Sequence, residues 1–151
     1  MNTKTILFPT DFSSLSDAAL EHATALAINI HARLLIVHVI EPGAIYGVGE
    51  MYYGVPDPDD FALWQMLSEL KPPDPRVSCE YRMVKGAPAA EIVRLAEESG
   101  AEMIVMGTHG RTGLGRLLMG SVAEAVLHRA TCPVLIIKSP HVRQPMTAAA
   151  T

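Results

Sequence analysis

Residues 33–40 read RLLIVHVI, a segment of strand length that is apolar except at Arg33 and His38. A strand with one wet face alternates polar and apolar residues. A near-continuous apolar run belongs to a strand covered on both faces, which is the habit of parallel sheets in α/β proteins. Outward from it, residues 4–9 (KTILFP) form a second short apolar run, stopped by Pro9. Between the two, Ser14 with Asp17 has the form of a capping box. Leu15, Ala19, Ala23, Leu26 and Ile30 then recur at helical spacing as one inward stripe to about His31.

The same alternation continues towards the C-terminus. Residues 41–58 (EPGAIYGVGEMYYGVPDP) hold four Gly, three Pro and three Tyr, and read as a long loop. A helical stretch is expected from Asp59, with Phe61, Trp64, Leu67 and Leu63, Leu70, ended by Pro72 and Pro73. Residues 76–84 read as a third strand. Pro88 suits the first turn of a helix closed by Gly100. Residues 102–106 read as a fourth strand, Ser121 with Glu124 as a second capping box, and residues 133–138 (PVLIIK) as a fifth strand. Alternating strands and helices imply right-handed βαβ crossovers. The expected fold is therefore α/β, a doubly wound five-stranded parallel sheet of order 3-2-1-4-5 with helices on both faces. The domain is expected over residues 1–138, with a flexible tail over 139–151.

Composition removes several classes of function. A chain of 151 residues and 16.3 kDa, 49% apolar and 19% charged, makes one domain with a full core. No apolar run approaches the ~18 residues of a membrane-spanning helix. The first residues lack the pattern of a signal peptide, so a cytoplasmic setting is expected. Cys79 and Cys132 lack CxxC spacing and are expected as two buried thiols. The net charge of −4 argues against a general nucleic-acid surface. It is unevenly spread: residues 107–129 carry Arg111, Arg116 and Arg129 against Glu124, leaving the rest of the chain at −6.

In such a sheet, ligands bind beyond the carboxyl ends of strands one and four, where the winding reverses. That places Pro9, Thr10, Asp11, Phe12 and Ser13 opposite residues 107–121 (GTHGRTGLGRLLMGS). Five glycines within fourteen residues run directly into a helix start. Backbone that can approach a ligand closely, free helical N–H groups and nearby arginines together make an anion cradle. There is no GxxxxGK[ST], and no GxGxxG follows the first strand; Gly47 and Gly49 open no helix.

What remains is Gly107-x2-Gly110-x9-Gly120-Ser121. With PTDFS after strand one, IVHVIEP at strand two and MGTHGRTGLGRLLMGSVAEAVLHRATCPVLII at the end, the chain resembles the universal stress protein family, specifically its ATP-binding branch. The resemblance implies that Asp11 meets ribose hydroxyls and that the Val39 backbone meets adenine. It implies that Gly107 and Gly110 let the loop pass close to ribose and phosphates, and that Gly120, Ser121 and the Val122 N–H hold the phosphates. Pro9, Thr10, Met106, His109 and Arg111 complete the expected contact set. A divalent ion such as Mg²⁺ on the phosphates, a stress-response regulatory role and a homodimer through the 133–138 edge follow from the same resemblance.

Blander readings stand beside these. Ser121 and Asp11 serve equally as helix caps, His38 as a satisfied core histidine, and Met103, Met106 and Met119 as packing. Tyr46, Tyr52 and Tyr53 are ordinary loop aromatics unless the loop folds over the base. Efficient phosphoryl transfer would need a positioned base that the sequence does not display, so a slow ATPase and a non-nucleotide partner-binding dimer are the alternatives to a nucleotide-binding regulator. The client protein and the stress are not legible.

Overall fold

The computed structural model describes residues 3–42, 59–108 and 120–138. Five strands, β1 (Lys4–Pro9), β2 (Ala32–Ile40), β3 (Cys79–Lys85), β4 (Met103–Gly107) and β5 (Val134–Ile137), alternate with four helices. These are α1 (Ser14–Ile30), α2 (Asp60–Glu69), α3 (Pro88–Ser99) and α4 (Ser121–Arg129). All the strand pairings are parallel and the sheet order is β3-β2-β1-β4-β5, as the apolar runs predict.

Alternation along the central strands sorts the core into two layers. Ile6, Phe8, Leu34 and Ile36 pack with Ala19, Leu20, Ala23 and Ala27 of α1 and Leu67 of α2. Leu7, Leu35, Val37 and Ile104 face the other way, onto Ile92 and Leu95 of α3 and Ala123 and Val126 of α4. Alanines at Ala19, Ala23 and Ala27 keep the α1 contact face shallow, so Leu15, Leu26 and Ile30 of the expected stripe are only half-buried. Among the described residues no helix is long and apolar enough to cross a membrane.

Several boundaries and environments depart from the sequence reading. The cap of α1 is Ser13, not Ser14, because Asp11 Oδ1 accepts the Ser13 N–H at 3.0 Å and turns the chain one residue earlier. The cap of α4 is Gly120 rather than Ser121, which is the first helical residue, so the second expected capping box does not form. β3 starts three residues late because Asp74 holds a turn, accepting from the N–H groups of Arg76 and Val77. The Arg76 guanidinium and N–H hold the Asp74 carboxyl down at about 2. The two cysteines are free and half-buried rather than buried, and desolvation pushes the Cys132 thiol up.

Helix α2 buries Leu63 and Leu67 but leaves Phe61 68% and Trp64 41% exposed, so its buried face is narrower than its set of apolar residues. Leu67→Ala is therefore expected to cost about 3 kcal/mol in urea unfolding, and Phe61→Ala within about 0.5 kcal/mol. Equal costs would overturn this assignment of the helix faces.

Candidate functional site at the strand switch point

Beyond Leu7 the sheet divides. β1 pairs with β4 only at Ile6–Met103 and Leu7–Ile104, yet stays with β2 as far as Pro9–Val37. The Thr10 N–H continues that second ladder, donating to Val37 O at 2.8 Å. Successive residues of a central strand offer their amides to alternate neighbours. Thr10 faces β2, while Thr5 O, on the opposite side, accepts from Glu102 N–H just before β4. Pro9 thus falls on the β4 side, where it has no N–H to donate. The strands part there, and a cavity of about 260 Å³ opens between their carboxyl ends.

One wall is the loop after β1. Thr10 is held at three points: its N–H by Val37, its carbonyl by the His38 Nδ1 at 2.8 Å, and its Oγ1 by the Phe12 N–H at 3.0 Å. A carbonyl only accepts, so Nδ1 of His38 carries the hydrogen. His38 is 2% exposed and its ring lies 4.4 Å from that of Phe12. It is a satisfied core histidine, and it also sets the wall. Phe12 has φ 66°, a left-handed conformation costing a non-glycine residue about 1–3 kcal/mol. The Thr10 and Asp11 side-chain hydrogen bonds offset that strain. Asp11 Oδ1 accepts from both Ser13 N–H and Ser16 Oγ (2.9 Å), so the carboxylate is fixed at the cavity edge through one oxygen.

The opposite wall is the α4 N-terminus. The Gly120 N–H donates to Thr108 O at 2.6 Å, which pins the start of α4 to the end of β4. Among the described residues no side chain caps the helix. Its first intrahelical bond from this end, Glu124 N–H to Gly120 O at 2.9 Å, leaves the N–H groups of Ser121, Val122 and Ala123 without helical partners. These donors and the helix dipole favour an anion. Asp11 and Glu41 sit on the other lip, and Val39, Met106, Pro88 and Ile92 contribute apolar lining. The cavity is therefore polarised: carboxylates at one end, helical N–H groups at the other, apolar surface in between.

Of the expected site residues, the fold brings Pro9, Thr10, Asp11, Val39, Met106, Gly107, Gly120, Ser121 and Val122 to this one cavity. His109, Gly110 and Arg111 lie outside the described residues, as do Arg116, Met119, Tyr46, Tyr52, Tyr53 and the tail. Arg129 does not join them: it lies in the last turn of α4, about 12 Å along the helix from Ser121. Gly107 is not sterically forced, since a Cβ there would lie 3.7 Å from Leu15 O, an ordinary contact. Thr108 and Ser16 were missed by the sequence reading. A hydroxyl between a strand end and a glycine-rich turn was the available signal for Thr108. A second depression, of about 430 Å³, lies at the other end of the sheet beside Arg33 and Arg76. Both guanidiniums there are already paired, with Glu80 and Asp74.

Residues 2–138 match the model of the Universal stress protein family. The chain belongs to the universal stress protein family. It is 36% identical over 151 residues to Universal stress protein MJ0531 of Methanocaldococcus jannaschii, covering 91% of this chain and 83% of that one. Universal stress protein MJ0577 of the same organism is 31% identical over 153 residues, covering 89% and 94%. A solved structure of MJ0577 superposes with a TM-score of 0.70 at 33% identity, over 92% of this chain and 98% of that one. A universal stress protein crystallised in complex with cAMP superposes with a TM-score of 0.64 at 28% identity, over 91% and 98%.

Proposed function

We propose that this universal stress protein is an ATP-binding regulatory module, with the nucleotide held where β1 and β4 part. The observation that carries the reading is the polarised cavity. Its α4 end offers uncapped N–H groups suited to phosphates, and its β1 end offers the Asp11 carboxylate suited to ribose hydroxyls. Val39 lines the cavity, and the family resemblance assigns its backbone to an adenine edge. The family relative in complex with cAMP supports an adenine nucleotide as the ligand class. His109, Gly110 and Arg111 enter the proposal through the Gly107-x2-Gly110-x9-Gly120-Ser121 spacing.

A divalent ion such as Mg²⁺ belongs to this reading as a companion of the phosphates. Among the described residues no three His, Cys, Asp or Glu side chains converge as a protein metal site. Hydrolysis is expected to be slow at most, because Asp11 and His38 already use hydrogen-bonding capacity to hold the β1 loop. A cytoplasmic stress-response role completes the proposal.

Calorimetric titration with Mg-ATP is expected to show one site per chain at micromolar to millimolar affinity. Gly120→Val, which sets a branched side chain beside the helix N-terminus, is expected to abolish it. No heat at millimolar ATP would sink the reading.

The β5 edge motivates a second part of the proposal. Among the described residues no strand follows β5 in the sheet order, and Leu135 is 36% exposed. Apolar edge strands are normally covered or paired, so we propose a homodimer joined there. Light scattering at micromolar concentration is expected to give twice the 16.3 kDa chain mass; a monomer mass would contradict it.

A further inference from the structure

Thr108 follows the last residue of β4 and is 7% exposed. Its carbonyl is engaged, accepting the Gly120 N–H at 2.6 Å. Its hydroxyl is not. Among the described residues Thr108 Oγ1 is buried without a hydrogen-bond partner, while the residue lines the switch-point cavity. Burying a hydroxyl unpaired costs stability, typically about 1–3 kcal/mol, and an isosteric valine would avoid that cost. The hydroxyl is also placed by its own backbone. The Thr108–Gly120 hydrogen bond ties this residue to the start of α4, next to the N–H groups of Ser121 and Val122.

We infer that Thr108 is a ligand-binding residue, its hydroxyl donating to a phosphate oxygen of the bound nucleotide alongside the α4 N–H groups. A hydroxyl supplies one donor hydrogen, and a phosphate oxygen is an acceptor only, so the pairing satisfies both. The uncapped helix end and the unpaired hydroxyl are separate observations that converge on the same end of the cavity. The inference rests on the nucleotide-binding reading and deepens it by adding a side-chain contact at the first variable position of the glycine motif, between Gly107 and Gly110. It also carries a signature that a purely structural role would not: the hydroxyl costs the empty protein stability and strengthens the occupied one.

The test compares wild type, T108V and T108S by calorimetry with ATP, adenosine and inorganic phosphate, and by thermal melting without ligand. T108V is expected to weaken ATP binding about tenfold, the scale of a lost hydrogen bond to a charged group. Adenosine affinity is expected to stay within about twofold of wild type, and T108S to keep ATP affinity within about threefold. The ligand-free T108V protein is expected to melt at or above the wild-type temperature. Unchanged ATP affinity in T108V, with wild type binding normally, overturns the inference alone. A T108V protein that melts several degrees lower overturns the claim that the hydroxyl is unpaired. Inorganic phosphate binding as tightly as ATP would assign the hydroxyl to a free-phosphate site instead. Absence of ATP binding in wild type overturns the nucleotide reading and this inference with it.

Discussion

The site exists because β1 cannot keep two neighbours along its whole length. Up to Leu7 it is bonded on both sides, to β2 and to β4. At Pro9 the donor that the β4 side would need is missing, and the strand continues with β2 alone through Thr10. The crevice lies where α1 and α4, which follow β1 and β4, leave for opposite faces of the sheet, and the missing N–H ends the β1–β4 ladder there. It is bounded by strand ends that burial holds rigid: Ile6, Leu7, Phe8, Ile104 and Val105 are each fully buried. A binding site framed by such residues is preorganised, and loses little conformational freedom when a ligand arrives.

Local strain and unpaired polar groups lie on or beside the residues that line the crevice. Phe12, between the lining residues Asp11 and Ser13, takes a left-handed backbone, Gly120 replaces a side-chain cap, and Thr108 buries a hydroxyl with no partner among the described residues. Two of these departures recur elsewhere: His31 closes α1 in a left-handed conformation, and α3 starts at Ala87 without a side-chain cap. The unpaired hydroxyl at the cavity is the departure that local stability does not account for.

The architecture was largely legible in the sequence. Order, parallel pairing and the switch point follow from the apolar runs at 4–9 and 33–40 and from the helices between them. What escaped was decided by hydrogen bonds local to a single turn. The capping-box pattern placed the α1 start at Ser14, yet Asp11 captures the Ser13 N–H first. The same pattern made Ser121 a cap, yet the Thr108 carbonyl fixes Gly120 in that role. For α2, periodicity marks which residues share a face but not how wide the contact with the sheet is, so it does not tell the exposed Phe61 and Trp64 from the buried Leu63 and Leu67. For the site, nine of twelve expected residues meet at one cavity, whereas Thr108, whose sequence signal is only a hydroxyl between a strand end and a glycine-rich turn, stands out once its burial is known.

The central claim is that an adenine nucleotide occupies the gap between β1 and β4. Amide chemical shifts followed during ATP titration of the isotope-labelled protein test it most directly. The account predicts that the largest shifts fall on Thr10, Asp11, Val39, Gly107, Thr108, Val122 and Ala123 and saturate together. Shifts centred instead on Arg33 and Arg76 at the opposite end of the sheet, or no saturating shifts at all, would contradict it.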